Sequence, residues 1–226
     1  MRGGTTSLYN YLIKHPQVVE PAFKEPVYWT RNRPFGDNWY KKHLGDGEGW
    51  HIDASVMYFC APNIPELLAK KFPNGKGIIM LRNPINRLWS HFNKENIIAP
   101  LQASASAIST QTPEYFHNQV VAYIMGKQNN ITLGVQMGQY IEFLDRWTES
   151  WRDRLMLVHS EAMFKAPDKI YQQILEFLGI EQFSLQHYER FFATSKGKML
   201  PETRELLEAY YAPYNELLQA NYHIVL

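Results

Sequence analysis

Residues Lys76 to Ser90 read KGIIMLRNPINRLWS. The first seven, Lys76 to Arg82, form a compact apolar run closed by a cation. That is the pattern of a short strand covered on both faces. Asn83 and Pro84 then open a helical stretch running to Glu95, with Pro84 in its first turn. Arg154 to His159 (RLMLVH) is a second apolar strand of the same kind. Helical periodicity fills the chain around these two runs. Thr5 to Lys14 puts Leu8, Tyr11 and Leu12 on one face and is stopped by Pro16. Ile64 to Phe72 is announced by Pro62 and Pro65. Pro113 to Lys127 and Leu133 to Trp151 read as two further helices, and Ile170 to Leu178 as one capped by Gly179. Pro201 to Ala220 is an amphipathic helix broken near Pro213. Gln17 to Pro26 reads as a short strand and loop, and the weak alternation of His51 to Tyr58 as another strand. Tyr28 to Gly49 reads mostly as loop, with a helix near Trp39 to Leu44. Pro100 to Gln111, rich in Ser and Ala, reads as a surface loop. Strands alternating with helices predict an α/β fold with a central parallel sheet flanked by helices in three layers. No repeat or linker divides the chain, so residues 1–226 are expected to form a single domain.

Bulk properties narrow the function classes. The chain has 226 residues, 45% hydrophobic and 20% charged, with a formal net charge of +1. That balance argues against a nucleic-acid partner, which needs a surplus of cations on one face. A local anion pocket needs only a few. The single cysteine, Cys60, excludes a disulfide framework or a multi-cysteine metal site. No apolar stretch approaches the roughly 18 to 20 residues of a membrane helix, and no charged-then-apolar leader opens the chain. Aromatic residues make up 14%. Those at Tyr28, Trp29, Trp39, Tyr40 and Trp50 read either as core or as the lining of an acceptor cleft.

Three segments have the chemistry of anion binders. Arg2 to Leu8 reads RGGTTSL. Gly3 and Gly4 permit a tight turn, and Thr5, Thr6 and Ser7 then sit at a helix N-terminus, whose free N–H groups and dipole favour a phosphate. Arg2 adds a forked cation. No GK[ST] follows the glycines, so this is not a nucleoside-triphosphate loop; alone it reads equally well as an N-capped helix. Arg82 ends a strand, where α/β sheets gather ligands, and Ser90 lies about two helical turns on. The third segment, Ser195, Lys196, Gly197 and Lys198, is a flexible basic loop that would suit a phosphate or simply be solvated.

Together these segments resemble the sulfotransferases that use 3′-phosphoadenosine-5′-phosphosulfate (PAPS), particularly the branch holding the Golgi heparan sulfate enzymes and their bacterial relatives. In that family a K-x-G-T-T loop joins the first strand to the first helix and binds the 5′-phosphosulfate; Gly4, Thr5 and Thr6 match it, with Arg2 in place of Lys. Its R-[DN]-P-x-x-R-x-x-S segment binds the 3′-phosphate through the first Arg and the Ser; Arg82, Asn83, Pro84, Arg87 and Ser90 match every position. Its S-K-G-[RK] loop covers the nucleotide; Ser195 to Lys198 match. KHP at 14–16, KEP at 24–26, FLG at 177–179 and YYAPYNELL at 210–218 are similar too.

The resemblance implies a P-loop-like domain and transfer of a sulfuryl group from PAPS to a hydroxyl or amine of a small-molecule or glycan acceptor. The co-product would be 3′-phosphoadenosine-5′-phosphate (PAP), and no metal is implied. The family's first strand has no counterpart ahead of Arg2, which leaves the stem of the loop without its usual support. Arg2 would stabilise the leaving nucleotide, but an arginine stays charged and cannot donate the proton. A base must accept the acceptor's proton. The resemblance assigns this to Glu25 in Lys24-Glu25-Pro26, with His51 and Asp53 as alternatives. His15 is expected as a cation at a helix end. The histidines lack metal-ligand spacing. Cytoplasm is the expected compartment, with the Golgi lumen as the alternative for a longer chain. A non-catalytic nucleotide or sulfated-ligand binding module on the same fold is the competing reading. A nucleotide kinase is a weaker one.

Overall fold

Helix α1 (Thr5–Leu12) starts where Gly4 turns left-handed and buries Leu8, Tyr11 and Leu12, the face its apolar spacing predicts. The structure, a computed structural model, describes residues 2–102, 112–191 and 197–226. After α1 come strand β1 (Val18–Val19), a π-helical turn at Tyr28–Asn32, helix α2 (Asp37–Leu44), strand β2 (Trp50–His51), a short 3₁₀ turn at Val56–Cys60, helix α3 (Ile64–Lys71) and strand β3 (Gly77–Leu81). Helices α4 (Pro84–Gln102), α5 (Pro113–Ile124), α6 (Thr132–Gln136) and α7 (Ile141–Trp151) follow. Strand β4 (Leu155–His159), helices α8 (Ser160–Lys165) and α9 (Pro167–Leu178), and the long α10 (Pro201–Tyr222) complete the order.

The expected parallel pairing is present, in two two-stranded sheets. β1 pairs with β2, Val18 opposite Trp50, and β3 with β4, from Gly77 opposite Leu155 to Leu81 opposite His159. With helices packed around them, these parallel strands make an α/β fold. Among the described residues no strand precedes α1.

The chain forms two compact units. In the first, residues 3–81 with 143–191, Leu8, Tyr11 and Leu12 of α1 pack with Met80, Val158 and the buried face of α9, Tyr171, Ile174, Leu175 and Leu178. The second holds Arg2, residues 82–142 and the chain from 197 onward. Its core joins Ile85, Leu88 and Phe92 of α4 to Phe116 and Val120 of α5 and to Leu207 and Tyr211 of α10.

Four expectations change. The stretch 133–151 is two helices: α6 ends at Gln136, and the Gly138 and Gln139 N–H groups turn back to the Val135 and Gln136 carbonyls, at 2.9 and 3.0 Å, before α7 starts at Ile141. The Tyr211 hydroxyl donates to the Val135 carbonyl there, at 2.8 Å. The strand expected over 51–58 ends at His51, where Asp53 and Ser55 begin a hydrogen-bonded turn. α10 runs unbroken through Pro213, because Thr203, Leu207, Tyr211 and Leu218 keep one buried face on both sides of it. Of the loop expected over 100–111, the first three residues extend α4, and 103–111 lie outside the described residues.

Candidate functional site

The first unit contains the glycine turn. Gly4 has φ +87° and ψ 2°, a left-handed conformation that strains any side chain. A Cβ at Gly4 would also come within 3.1 Å of the Phe164 ring, so the position excludes a side chain on two counts. At Gly3 a Cβ would sit 3.2 Å from the Met80 carbonyl oxygen, which brings the turn hard against the end of β3. The buried Ser160 hydroxyl, first residue past β4, donates to the Gly3 carbonyl. Thr5, Thr6 and Ser7 then open α1 with no side-chain cap, so their N–H groups have no intrahelical partner and point outward at the positive end of the helix. The hydroxyl of Ser7 is turned inward: Ser7 is buried and accepts the Phe191 N–H at 3.1 Å.

The second unit gathers Arg2, Arg82 and Ser90. Arg2 Nε donates to Ser90 Oγ at 2.9 Å, and an Arg82 Nη donates to the Arg2 carbonyl at 2.9 Å. Burial, and then the like charge of Arg82, hold the Arg2 guanidinium below the usual arginine pKa. Two cations and a hydroxyl brought this close suit an anion. The Tyr140 hydroxyl fixes the base of the cluster by donating to the Arg82 carbonyl at 2.8 Å. Asn83 caps α4 by accepting the Asn86 N–H at 3.0 Å. Arg87 faces elsewhere: it is buried and donates to the Gly134 carbonyl, bracing α6. Gly197, at φ +66°, and Lys198 are exposed; Ser195 and Lys196 lie outside the described residues.

The candidate bases separate clearly. Glu25 is partly exposed, and its Oε1 accepts from Lys24 Nζ at 2.7 Å; Lys24 also reaches the Ala54 carbonyl at 3.3 Å. Asp53 is fully engaged. Oδ1 accepts from the Ser55 N–H and hydroxyl, at 3.0 and 2.6 Å, and Oδ2 from the Tyr40 and Tyr58 hydroxyls, both at 2.9 Å. Burial first, and Asp53 next, push both phenols well above the usual tyrosine pKa, so they stay donors. Ser55 Oγ accepts the Val27 N–H at 2.9 Å and Tyr58 Oη the Trp29 N–H at 3.1 Å. This network holds the backbone just after Glu25, where Val27 is left-handed at φ +44°. Asp53 is thus a clamp on the segment that carries Glu25. His51 is exposed, with its Nδ1 3.1 Å from the Leu44 carbonyl. His15 is not a helix-end cation: it is buried, its Nδ1 accepts the Gln17 N–H and its Nε2 donates to the Glu181 carbonyl, which defines a neutral tautomer.

Sequence reasoning did not find Ser160, Tyr140 or Tyr58, and it read Tyr40 only as core or cleft lining. Only Ser160 carried a signal, its place directly beyond the carboxyl end of a predicted strand. The aromatic residues divide: Tyr28, Trp29 and Tyr40 are buried, while Phe23 and Phe35 flank Trp39 with exposed rings. Among the described residues no group of three or more histidine, cysteine or acidic side chains gathers to hold a metal ion, and no helix is long and apolar enough to cross a membrane.

The glycine turn, the paired arginines and the clamped Glu25 segment can be set against known proteins. The bifunctional heparan sulfate N-deacetylase/N-sulfotransferase 1 of Caenorhabditis briggsae is 25% identical over 203 residues, which cover 86% of this chain and 23% of that protein. The heparan sulfate glucosamine 3-O-sulfotransferase 6 of Mus musculus is 24% identical over 242 residues, 95% of this chain and 67% of that protein. The chain therefore spans under a quarter of the nematode relative and about two thirds of the mouse one. A sulfotransferase from Alicyclobacillus acidocaldarius shares the fold, with a TM-score of 0.78 over 100% of this chain and 93% of that one at 21% identity. The sequence profile described as the sulfotransferase domain matches residues 1–209, and on that match the chain belongs to the sulfotransferase domain family.

Proposed function

We propose that residues 1–226 act as one sulfotransferase domain, moving a sulfuryl group from PAPS to a hydroxyl or amine of an acceptor, carbohydrates first among the candidates. Gly4 carries the reading. A left-handed glycine that excludes any Cβ, opening an uncapped helix, lets backbone come close to an oxyanion and aims N–H groups at it. In this reading the donor's two charged ends go to different segments. Gly3 to Ser7 take the 5′-phosphosulfate through backbone N–H groups and the Thr5 and Thr6 hydroxyls. Arg82 and Ser90 take the 3′-phosphate, and Ser195 to Lys198 cover the nucleotide. The relatives whose names specify heparan sulfate support a sugar acceptor.

The chemistry asks for alignment and charge stabilisation rather than covalent help from the protein. The acceptor forms its bond to sulfur in line as the bond from sulfur to the bridging oxygen breaks. Glu25 takes the acceptor's proton, with Lys24 fixing one carboxylate oxygen and the Asp53 clamp fixing the backbone beside it. Arg2 stabilises the charge left on the departing nucleotide without giving up a proton.

Incubation with sulfur-labelled PAPS and a panel of saccharides, small alcohols and amines should yield labelled product. Glu25→Gln should lower turnover by about 10²-fold or more while PAP binding is kept. PAP binding with no product on any acceptor would favour the binding module, and stabilisation by ATP but not by PAP would rule out the donor assignment.

A further inference from the structure

Resting on that reading of the donor site, we infer that Arg190 is a further cation for the 5′-phosphosulfate end, brought to the glycine turn by an aromatic ring. Four contacts define its place, all within the first unit. The Tyr11 hydroxyl donates to the Glu189 carbonyl at 2.7 Å, and the Phe191 N–H donates to Ser7 Oγ at 3.1 Å. The Tyr188 ring meets Tyr11 edge-on, with centroids 5.2 Å apart. Residues 188–191 are thus laid along α1, whose first turn begins at Gly4. Between the two hydrogen-bonded residues, the Arg190 guanidinium sits over the Phe164 ring, 4.4 Å from its centroid. This is the same ring whose edge fills the space beside Gly4.

A guanidinium over an aromatic ring uses its flat face for the contact and keeps its N–H donors for other partners. Arg190 is exposed, and among the described residues it has no carboxylate or carbonyl partner. It is therefore a cation held over the ring beside an uncapped helix N-terminus, with its donors uncommitted among the described residues. That arrangement suits a second oxyanion contact at the turn. It favours the 5′ end because Arg190 lies over the same Phe164 ring that packs against Gly4, the turn read as holding the 5′-phosphosulfate.

Titration calorimetry with two ligands separates the ends. PAP carries both phosphates; adenosine 3′-phosphate lacks the 5′ group. Arg190→Met keeps an apolar stem on Phe164 and removes the charge. It should weaken PAP about tenfold, as for one lost charge-assisted contact, and leave adenosine 3′-phosphate within about twofold. Arg190→Lys should fall between Met and the wild type. The ligand-free melting temperature should not move, because the side chain is exposed. If Arg190→Met binds PAP like the wild type, or loses both ligands equally, the inference fails while the donor assignment stands. If the wild type binds neither ligand, the donor assignment fails and the inference goes with it.

Discussion

At Gly4, one missing side chain serves backbone geometry and packing together. The left-handed φ alone would cost an alanine roughly 1–2 kcal/mol, and the Phe164 ring 3.1 Å from the absent Cβ would also have to give way. Gly4→Ala should therefore lower thermal stability measurably and weaken PAP more than adenosine 3′-phosphate, since the disturbance falls on the turn and not on Arg82. A variant with wild-type melting and wild-type PAP affinity would show that the turn does not hold the phosphosulfate. Residue by residue, the sequence was informative where a residue type is required and silent where it is one of several solutions. Gly4, Arg82 and Ser90 stood out because few residues can replace them. Ser160, which secures the Gly3 carbonyl, and Tyr140, which secures that of Arg82, were not legible. A hydroxyl reaching a carbonyl across 157 or 58 residues leaves no local pattern. The Asp53 clamp was not legible: the alternation of 51–58 reads as a strand, and the two tyrosines that complete the clamp are known only from the fold.

Among the elements, β3, β4, α1 and α9 were legible because each is a short apolar period closed by its own cap or breaker. The errors came where contacts from a distant element decide the outcome. The end of α6 is held by the Tyr211 hydroxyl of α10, and the continuity of α10 belongs to the core it covers. Pro213 nevertheless removes one helical hydrogen bond and crowds the preceding turn, a cost of about 3 kcal/mol in a helix interior. Burial of Leu207, Tyr211 and Leu218 along one face offsets it. Pro213→Ala should therefore stabilise the protein by about 1–3 kcal/mol, read as a higher urea midpoint at unchanged m-value. An unchanged or lower midpoint would mean that the proline ring itself packs where alanine cannot.

For the molecule as a whole, the alternation of strands and helices was enough for the fold class, and the order of three basic segments was enough for the family. The division into two cores was not legible, because periodicity shows that a helix has an apolar face without saying which helix meets it. Buried titratable groups are invisible to pattern for the same reason, and one of them bears on global stability. His43 is buried between the Phe23 and Trp39 rings. Burial holds its pKa below the usual histidine value; the nearby Asp53 charge and the Phe23 carbonyl oppose this without overcoming it. The native state therefore keeps His43 neutral at a pH where the unfolded chain, titrating near 6.5, takes up a proton. Between the lowered native pKa and about 6.5, the unfolded state binds more protons, so stability rises with pH and is lost on acidification through that window. His43→Phe keeps the ring stack and removes the titration. Melting temperatures at pH 7.5 and 5.5 should then fall less on acidification in the variant than in the wild type. Equal falls would mean that His43 is protonated alike in both states, and that the acid sensitivity of the fold originates in other groups.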